Sequence, residues 1–331
     1  MTARWISESD VADVLDLGTA IDALRAGFLA ESTGDASNML KTQVTWGDGH
    51  SLHAIGAVMP HLGLVGSKTW AHTSKGATPL EIVWSADTGE LLAIIEAFVL
   101  GQFRTGGVSG LATDLLAAGN ADVLAMVGTG KQARAQVAAV ASVRTLSEVR
   151  VFSRDAERRS AFADSVEAEF GVVTRAAKTV AEAVDGAGVV TLATRATEPF
   201  LDASMMPAGG HLNAIGAIVP TRIEFEPALL DRAEIVVADS PAQARMQSAE
   251  FRKYFGDDEP GWASVRSLAD VVRWGSWRGP STGISAFKAM GSGIADLSLA
   301  HVILERVATG GLGAPFPRAH ARSVPLSMER K

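Results

Sequence analysis

At 331 residues, with 47% apolar and 20% charged side chains, the chain is long enough for two domains and has the balance of an ordinary globular protein. A formal charge of -7, with no run of basic residues, excludes an electrostatic footprint for nucleic acid. The absence of cysteine excludes disulfides, thiolate metal sites and cysteine nucleophiles.

The opening MTARWISESD lacks the charged-then-apolar layout of a secretory leader. The longest apolar stretch, residues 91–100, is broken by Glu96 and too short to span a bilayer, so no membrane partner is expected and a cytoplasmic enzyme is. Residues 11–29 place Val11, Val14, Leu15, Ile21, Leu24 and Phe28 near helical spacing. Residues 43–46 with 51–59, and 80–86 with 91–97, read as two hairpins around Gly47-Asp48-Gly49 and Asp87-Thr88-Gly89. A helix over 104–118 stops at Gly119-Asn120. From there strands (123–127, 149–153, 172–175, 189–193, 212–215, 235–238) alternate with helices (132–143, 156–170, 180–184), the pattern of a parallel sheet covered on both faces. Residues 256–283 read as irregular, and 294–307 as a last helix. The fold class is therefore α/β: a parallel-sheet domain over 120–308, joined to an α+β domain over 1–119 with 309–331.

Gly128-Thr129-Gly130-Lys131-Gln132-Ala133 lies between an apolar strand and a helix, the context that the G-x-G-x-x-G/A dinucleotide fingerprint requires. Gly128 permits the tight turn, Gly130 lets a pyrophosphate approach the backbone, and Ala133 keeps helix and strand close, while the free N–H groups of the helix start hold the anion. About 20 residues on, the next strand ends in Phe152-Ser153-Arg154-Asp155. Ser153 and Arg154 suit the 2′-phosphate of NADP, the cofactor expected ahead of NAD. The alternative, with Arg154 a solvated charge and Asp155 a helix cap, leaves the cofactor open. Thr194 and Asn213, at strand ends of the same sheet, are expected on the nicotinamide side.

Four stretches together resemble the ornithine cyclodeaminase/μ-crystallin family. They are Gly66-Ser67-Lys68-Thr69; Asp87-Thr88-Gly89-Glu90 leading to Arg104-Thr105-Gly106-Gly107; the Gly128 turn; and Thr191-Leu192-Ala193-Thr194 through Gly210-His211-Leu212-Asn213-Ala214-Ile215-Gly216-Ala217. Phe287-Lys288-Ala289-Met290-Gly291 with Asp296 resembles the family's closing motif. The resemblance implies a Rossmann domain, a substrate and dimerisation domain to which the last helix and tail return, and a homodimer. Its members include cyclodeaminases, alanine dehydrogenases, ketimine or cyclic imine reductases and a thyroid-hormone-binding crystallin.

The resemblance also implies that Lys68, Arg104 and Lys41 hold the carboxylate of a small amino or imino acid, with Lys68 and Arg104 as the catalytic pair. An arginine offers a two-pronged fork and a lysine a point charge. Read from spacing alone, Lys68 could face solvent and Arg104 could simply start a helix. The family's cyclodeaminases place an Asp just after the Asn-Ala-x-Gly motif, where this chain has Ile218, which can neither take a proton nor pair with an ammonium. Glu224, six residues later, reads as structural. The function expected is therefore NAD(P)H-dependent reduction or dehydrogenation at the C–N bond of a small imino or amino acid, with a cyclodeaminase-type lyase and a non-catalytic binding protein as alternatives. No metal is expected, since His50 and His53 fall on opposite faces of a strand, although either could line the pocket. Ser109 and Ser292 lack a nucleophile elbow.

Overall fold

The computed structural model describes residues 2–277 and 282–317. A short strand β1 (Arg4–Ile6) leads into helices α1 (Glu8–Val14) and α2 (Leu17–Thr33). The sequence reads these two helices as one. Asp16 separates them, because its carboxylate accepts the Thr19 N–H (2.8 Å) and caps a new helix. Then come β2 (Ser37–Trp46), β3 (His50–Met59), β4 (Leu64–Thr73), β5 (Gly76–Ala77), β6 (Leu80–Ser85) and β7 (Leu91–Glu96). Strands β2, β3, β4, β6 and β7 pair antiparallel in sequence. Helix α3 (Phe98–Leu116) starts six residues before the expected Arg104. The Glu8 carboxylate accepts the Phe98 and Val99 N–H groups (2.7 Å each), so a residue ninety positions away caps this helix.

The second sheet is built from β8 (Val123–Val127), α4 (Ala133–Val143), β9 (Glu148–Phe152), α5 (Ala156–Phe170), β10 (Val173–Ala176), α6 (Val180–Val184), β11 (Val189–Leu192), β12 (His211–Ala214) and β13 (Ala233–Ala238). Helices α7 (Pro241–Gln247), α8 (Ala249–Phe255) and α9 (Glu259–Ser264), strand β14 (Arg266–Ser267), helix α10 (Leu268–Trp274) and strand β15 (Ile284–Lys288) complete it. Its order is β10-β9-β8-β11-β12-β15-β13-β14, all parallel. The order reverses between β8 and β11, where such sheets open a ligand crevice at the carboxyl ends of the strands. The stretch 256–283, read as irregular, holds α9 and α10. Ser267 and Asp270 form a capping box, and the helix is anchored by Leu268 and Val271, both buried.

Helix α11 (Gly293–Gly310) and the short β16 (Ala314–Pro315), which pairs with β1, follow. Although α11 leaves the second sheet, it packs against α2, α3, β3 and β4 of the first unit. Residues 293–310, inside the stretch 120–308 expected for the parallel-sheet domain, thus pack on the first unit; the tail beyond residue 317 lies outside the described residues. The contact is close: a Cβ at Gly293 would stand 1.9 Å from the Gly56 carbonyl oxygen. The sheet face under α11 carries one transverse row, Ile55–Lys68–Glu81–Ile95, from β3, β4, β6 and β7. The opposite face carries Val44, Leu52, Val58, Val65, Ile82 and Ile94, and Val44 is 60% exposed. Gly293→Ala is expected to cost about 3 kcal/mol, the scale of overpacking a rigid contact, measured as a lowered urea midpoint.

Candidate active site

The turn after β8 is set by backbone geometry. Gly128 has φ +111°, and a Cβ on it would lie 2.5 Å from the Ala193 oxygen, so only glycine fits between the two strand ends. Its N–H donates to Phe152 O (2.8 Å), tying the turn to the end of β9. Beside Gly130 there is open space, with no atom within 4 Å of where a Cβ would stand. No side chain caps the start of α4. Apart from that of Ala133, which donates to Gly130 O (3.0 Å), its first N–H groups therefore remain for an anion, and the turn fits a dinucleotide pyrophosphate.

Across the switch point, Glu224 fixes the loops that follow β11 and β12. Fully buried, it accepts from the Thr194 N–H (2.7 Å), the Thr194 hydroxyl (2.8 Å), and the Gly216 (2.8 Å) and Ala217 (3.0 Å) N–H groups. Burial pushes its pKa up, and Lys288 and these donors oppose the rise. Behind it the Glu224 N–H donates to Glu250 Oε1 (3.0 Å), and Glu250 Oε2 lies 3.2 Å from Lys288 Nζ. Thr194 lines the cavity. Asn213 does not: its side chain donates to Thr113 Oγ1 (2.9 Å) and meets His211 Nε2 (3.1 Å), turned toward α3 rather than the crevice. Asn213, expected on the nicotinamide side, thus stands on the α3 side of β12.

At the tip of β9 the Asp155 side chain accepts the Arg158 N–H (3.0 Å) and caps α5. Asp155 is not on the cavity wall, whereas Ser153, Arg154 and Arg158 are. Arg158, Arg195 and Arg222 were not foreseen; Arg158 alone had a signal, one helical turn after the strand tip.

The other end of the cavity is held by charges. Lys68 donates to Asp296 Oδ1, and Arg104 Nε donates to the same oxygen at 3.1 Å. Arg104 lines the cavity. Lys68 is not on the wall: it is buried, engaged by Asp296, with Nζ over the Trp70 ring at 5.8 Å. Burial first, then Arg104, pushes the Lys68 pKa down against the pull of Asp296. Lys41 is on the wall. Its N–H donates to Gln243 Oε1 (3.1 Å) and its Nζ to Met290 O (3.4 Å). Asp239 accepts the Met290 and Gly291 N–H groups (2.7 and 2.8 Å), which fixes that loop. Burial brings the Lys41 pKa down to about 8, with Arg104 and Lys68 adding to the drop and Asp239 opposing it. Neither His50 nor His53 lines the cavity; His53 stacks on Trp70, with centroids 4.6 Å apart and planes 8° apart, and so steadies a wall residue. Ile55, Trp70, Ile215 and Ile218 make the wall apolar at this end.

The two ends share one cavity of about 890 Å³. Seven of its lining residues are basic, and Glu198 is the acid among them. A model described as the Ornithine cyclodeaminase/mu-crystallin family matches residues 5–311. The chain belongs to the ornithine cyclodeaminase/mu-crystallin family. It is 30% identical over 227 residues to the Delta(1)-pyrroline-2-carboxylate reductase of Bacillus cereus, covering 68% of this chain and 70% of that one. It is also 30% identical over 229 residues to the ketimine reductase mu-crystallin of Mus musculus, covering 69% of each. The solved probable ornithine cyclodeaminase of Bordetella pertussis superposes with a TM-score of 0.85 at 27% identity, over 95% of this chain and 100% of that one. The Thermococcus litoralis Delta(1)-pyrroline-2-carboxylate reductase, solved with NADH and L-proline, shares the fold with a TM-score of 0.88 at 22% identity, over 94% and 99%. Family membership thus rests on the whole architecture, not on the glycine turn alone.

Glu224→Gln keeps the shape but turns an amide donor toward N–H groups. A loss of about 2 kcal/mol is expected, read from thermal unfolding, together with weaker dinucleotide binding read by fluorescence titration.

Proposed function

We propose that this family member is an NAD(P)H-dependent oxidoreductase that reduces the C=N bond of a small cyclic imino acid, with NADPH preferred. The observation that carries this reading is the single cavity that joins the glycine turn to Arg104, whose Nε is engaged by Asp296 and whose remaining nitrogens are left for a carboxylate. The names of its relatives, a pyrroline-2-carboxylate reductase and a ketimine reductase, support the same substrate class. The turn from Gly128 to Gln132 and the start of α4 would hold the pyrophosphate, and Ser153, Arg154 and Arg158 a 2′-phosphate, since Asp155 is occupied as a cap. When bound, the cofactor supplies the hydride.

The chain's own residues then orient and charge the site. Arg104 presents its fork and Lys41 a point charge to the carboxylate, which fixes the α-carbon. Asp296, itself engaged by Lys68, holds Arg104 in place. Trp70, Ile55 and Ile218 keep water from the reacting bond. A proton must reach the nitrogen; Lys41, brought to about 8, can release one near neutral pH. Ile218 leaves a cyclodeaminase without its amine-handling acid. We further place residues 2–119 with α11 on the substrate side, read the apolar face of Val44, Leu52, Val58 and Ile82 as the seat of a second copy, and assign the enzyme to the cytoplasm. Among the described residues no helix is long and apolar enough to cross a membrane.

NADPH oxidation followed by absorbance, with Δ1-pyrroline-2-carboxylate and its six-membered homologue, is the direct test. Dinucleotide binding without turnover would leave a binding protein, and no dinucleotide binding would end the reading. Arg104→Ala is expected to lower kcat/KM by about a hundredfold or more, the scale of losing a charge-assisted fork of about 3 kcal/mol. Arg154→Ala should raise the KM for NADPH and leave that for NADH unchanged. Lys41 is charged below about pH 8 and neutral above it, so kcat/KM should fall as pH rises through that value. Lys41→Arg, which does not titrate there, should remove that limb of the profile. Light scattering should give a dimer, and Val44→Asp combined with Leu52→Asp a monomer.

A further inference from the structure

Glu81 is a buried acid that the proposed chemistry does not use. It stands on β6 directly across from Lys68 on β4 and is 1% exposed. Gly66 makes room for it: a Cβ there would come 2.8 Å from Glu81 Oε1 and 2.7 Å from Leu297 Cδ1 of α11. Three charged groups face it from three elements, Lys68 from β4, Asp296 from α11 and Arg104 from α3. Glu81 Oε2 and Asp296 Oδ2 are both buried with no hydrogen-bond partner among the described residues. Lys68 and Arg104 bring two positive charges and Asp296 one negative. With Glu81 neutral the group sums to plus one; with Glu81 ionised it sums to zero. Arg104 is on the cavity wall, so an anion bound there meets this sum directly.

We propose that Glu81 is a positioning residue that couples binding of the substrate carboxylate to the uptake of one proton. The inference rests on the reading of Arg104 as the carboxylate holder. Burial, and then Asp296, favours the neutral acid, while Lys68 and Arg104 favour the carboxylate. An arriving substrate carboxylate draws on the same two cations. Glu81 then takes a proton from solvent as the substrate binds and returns it when the product leaves. Linkage makes the coupling reciprocal, so a neutral Glu81 tightens carboxylate binding.

The sign follows from the charge count. Wild-type affinity is highest where Glu81 is neutral and falls as pH rises through its titration, by at most about tenfold per pH unit for one proton. Lys41, losing its charge near pH 8, adds a decline of its own. Glu81→Gln is neutral at every pH and loses only the first decline.

The test is calorimetric binding of pyrrole-2-carboxylate, a planar carboxylate that is not reduced, to the full-length protein with NADP+, from about pH 5, near the ordinary carboxylate range, to about pH 10, beyond the Lys41 titration. Buffers of different ionisation enthalpy report the protons taken up. Wild type should take up protons, and Glu81→Gln should bind as wild type does at low pH but progressively tighter than wild type as pH rises. A variant that is merely destabilised cannot bind better. Glu81→Met, neutral and unable to accept a proton, should give the same ratio. In Lys41→Arg, which removes the other titrating cation, uptake that persists supports Glu81 as its source, and uptake that vanishes overturns it. A wild-type to variant ratio independent of pH, or weaker binding by both variants at every pH, overturns the coupling with Arg104's role intact. Failure of the wild type to bind the probe at all overturns the reading of Arg104 itself, and the coupling with it.

Discussion

One carboxylate oxygen ties the substrate end of this molecule together. Asp296 Oδ1 accepts from Lys68 on β4 and from Arg104 on α3, and Asp296 itself belongs to α11, which the chain reaches only after completing the second sheet. These are buried or half-buried charges, and removing one member of such a group leaves its partners uncompensated at a cost of several kcal/mol. The ion group therefore requires α11 to lie against β3 and β4. Gly293 permits this by letting the helix approach the Gly56 backbone closer than any side chain would allow. Asn38 on β2 adds a third tie, accepting the Ile294 N–H (2.9 Å) and the Ser292 hydroxyl (3.0 Å) at the start of the helix. Without α11, Lys68 and Arg104 would lose the acid that accepts from both and keep Glu81 beside them.

The two ends of the cavity use different physics. At the glycine turn backbone N–H groups would meet the anion, and the residues that matter are defined by what they lack: a Cβ at Gly128, an obstruction beside Gly130, a cap on α4. At the far end formal charges would meet it, their positions set by hydrogen bonds from behind: Asp296 for Arg104, Gln243 for Lys41, Asp239 for the Met290-Gly291 loop. Glu224 joins the two regimes by holding four donors of the intervening loops. A chain of net charge -7 thus concentrates positive potential in one cleft, which focuses the field on small anions without attracting polyanions to its surface.

What could be read from the sequence was what is local. The glycine turn, its strand and its helix lie within a dozen residues, and the parallel strands announce themselves as apolar runs between helical stretches. Lys68 and Arg104 were legible through a family pattern, and the structure does bring them together, but on Asp296 rather than side by side on the cavity wall. That partner lies more than 190 positions from either in the chain, and spacing carries no trace of it. The same holds for Glu8, which starts α3 from a distance, and for Glu81, which looks like one more polar residue in a hairpin until the register sets it opposite Lys68. Asn213 shows the opposite case. Its place in a strand was legible, but not the direction of its side chain, which Thr113 and His211 engage on the buried side.

The charge pattern also bears on which reaction in the family suits this cleft. A diamino acid carries a second ammonium that needs an acid, and by the resemblance to the family's cyclodeaminases the position of that acid holds Ile218, which lines the cavity. Two like charges about 4 Å apart repel by about 1 kcal/mol in bulk water and about 4 kcal/mol at the effective dielectric of a protein surface. With Lys41 and Arg104 at that end, and Glu198 the acid on a wall of seven basic residues, an additional cation is opposed from several directions. Phosphates of a bound dinucleotide would neutralise cations near the glycine turn and the tip of β9 and leave Lys41 and Arg104 charged. A substrate with one carboxylate and an uncharged or ring-bound nitrogen meets neither penalty: its anion faces Arg104 and Lys41, and its carbon skeleton faces Trp70, Ile55 and Ile218. In the proposed reading, an isoleucine at this place therefore does more than lack a proton acceptor, because it leaves this end of the cavity favouring an anion over a second cation.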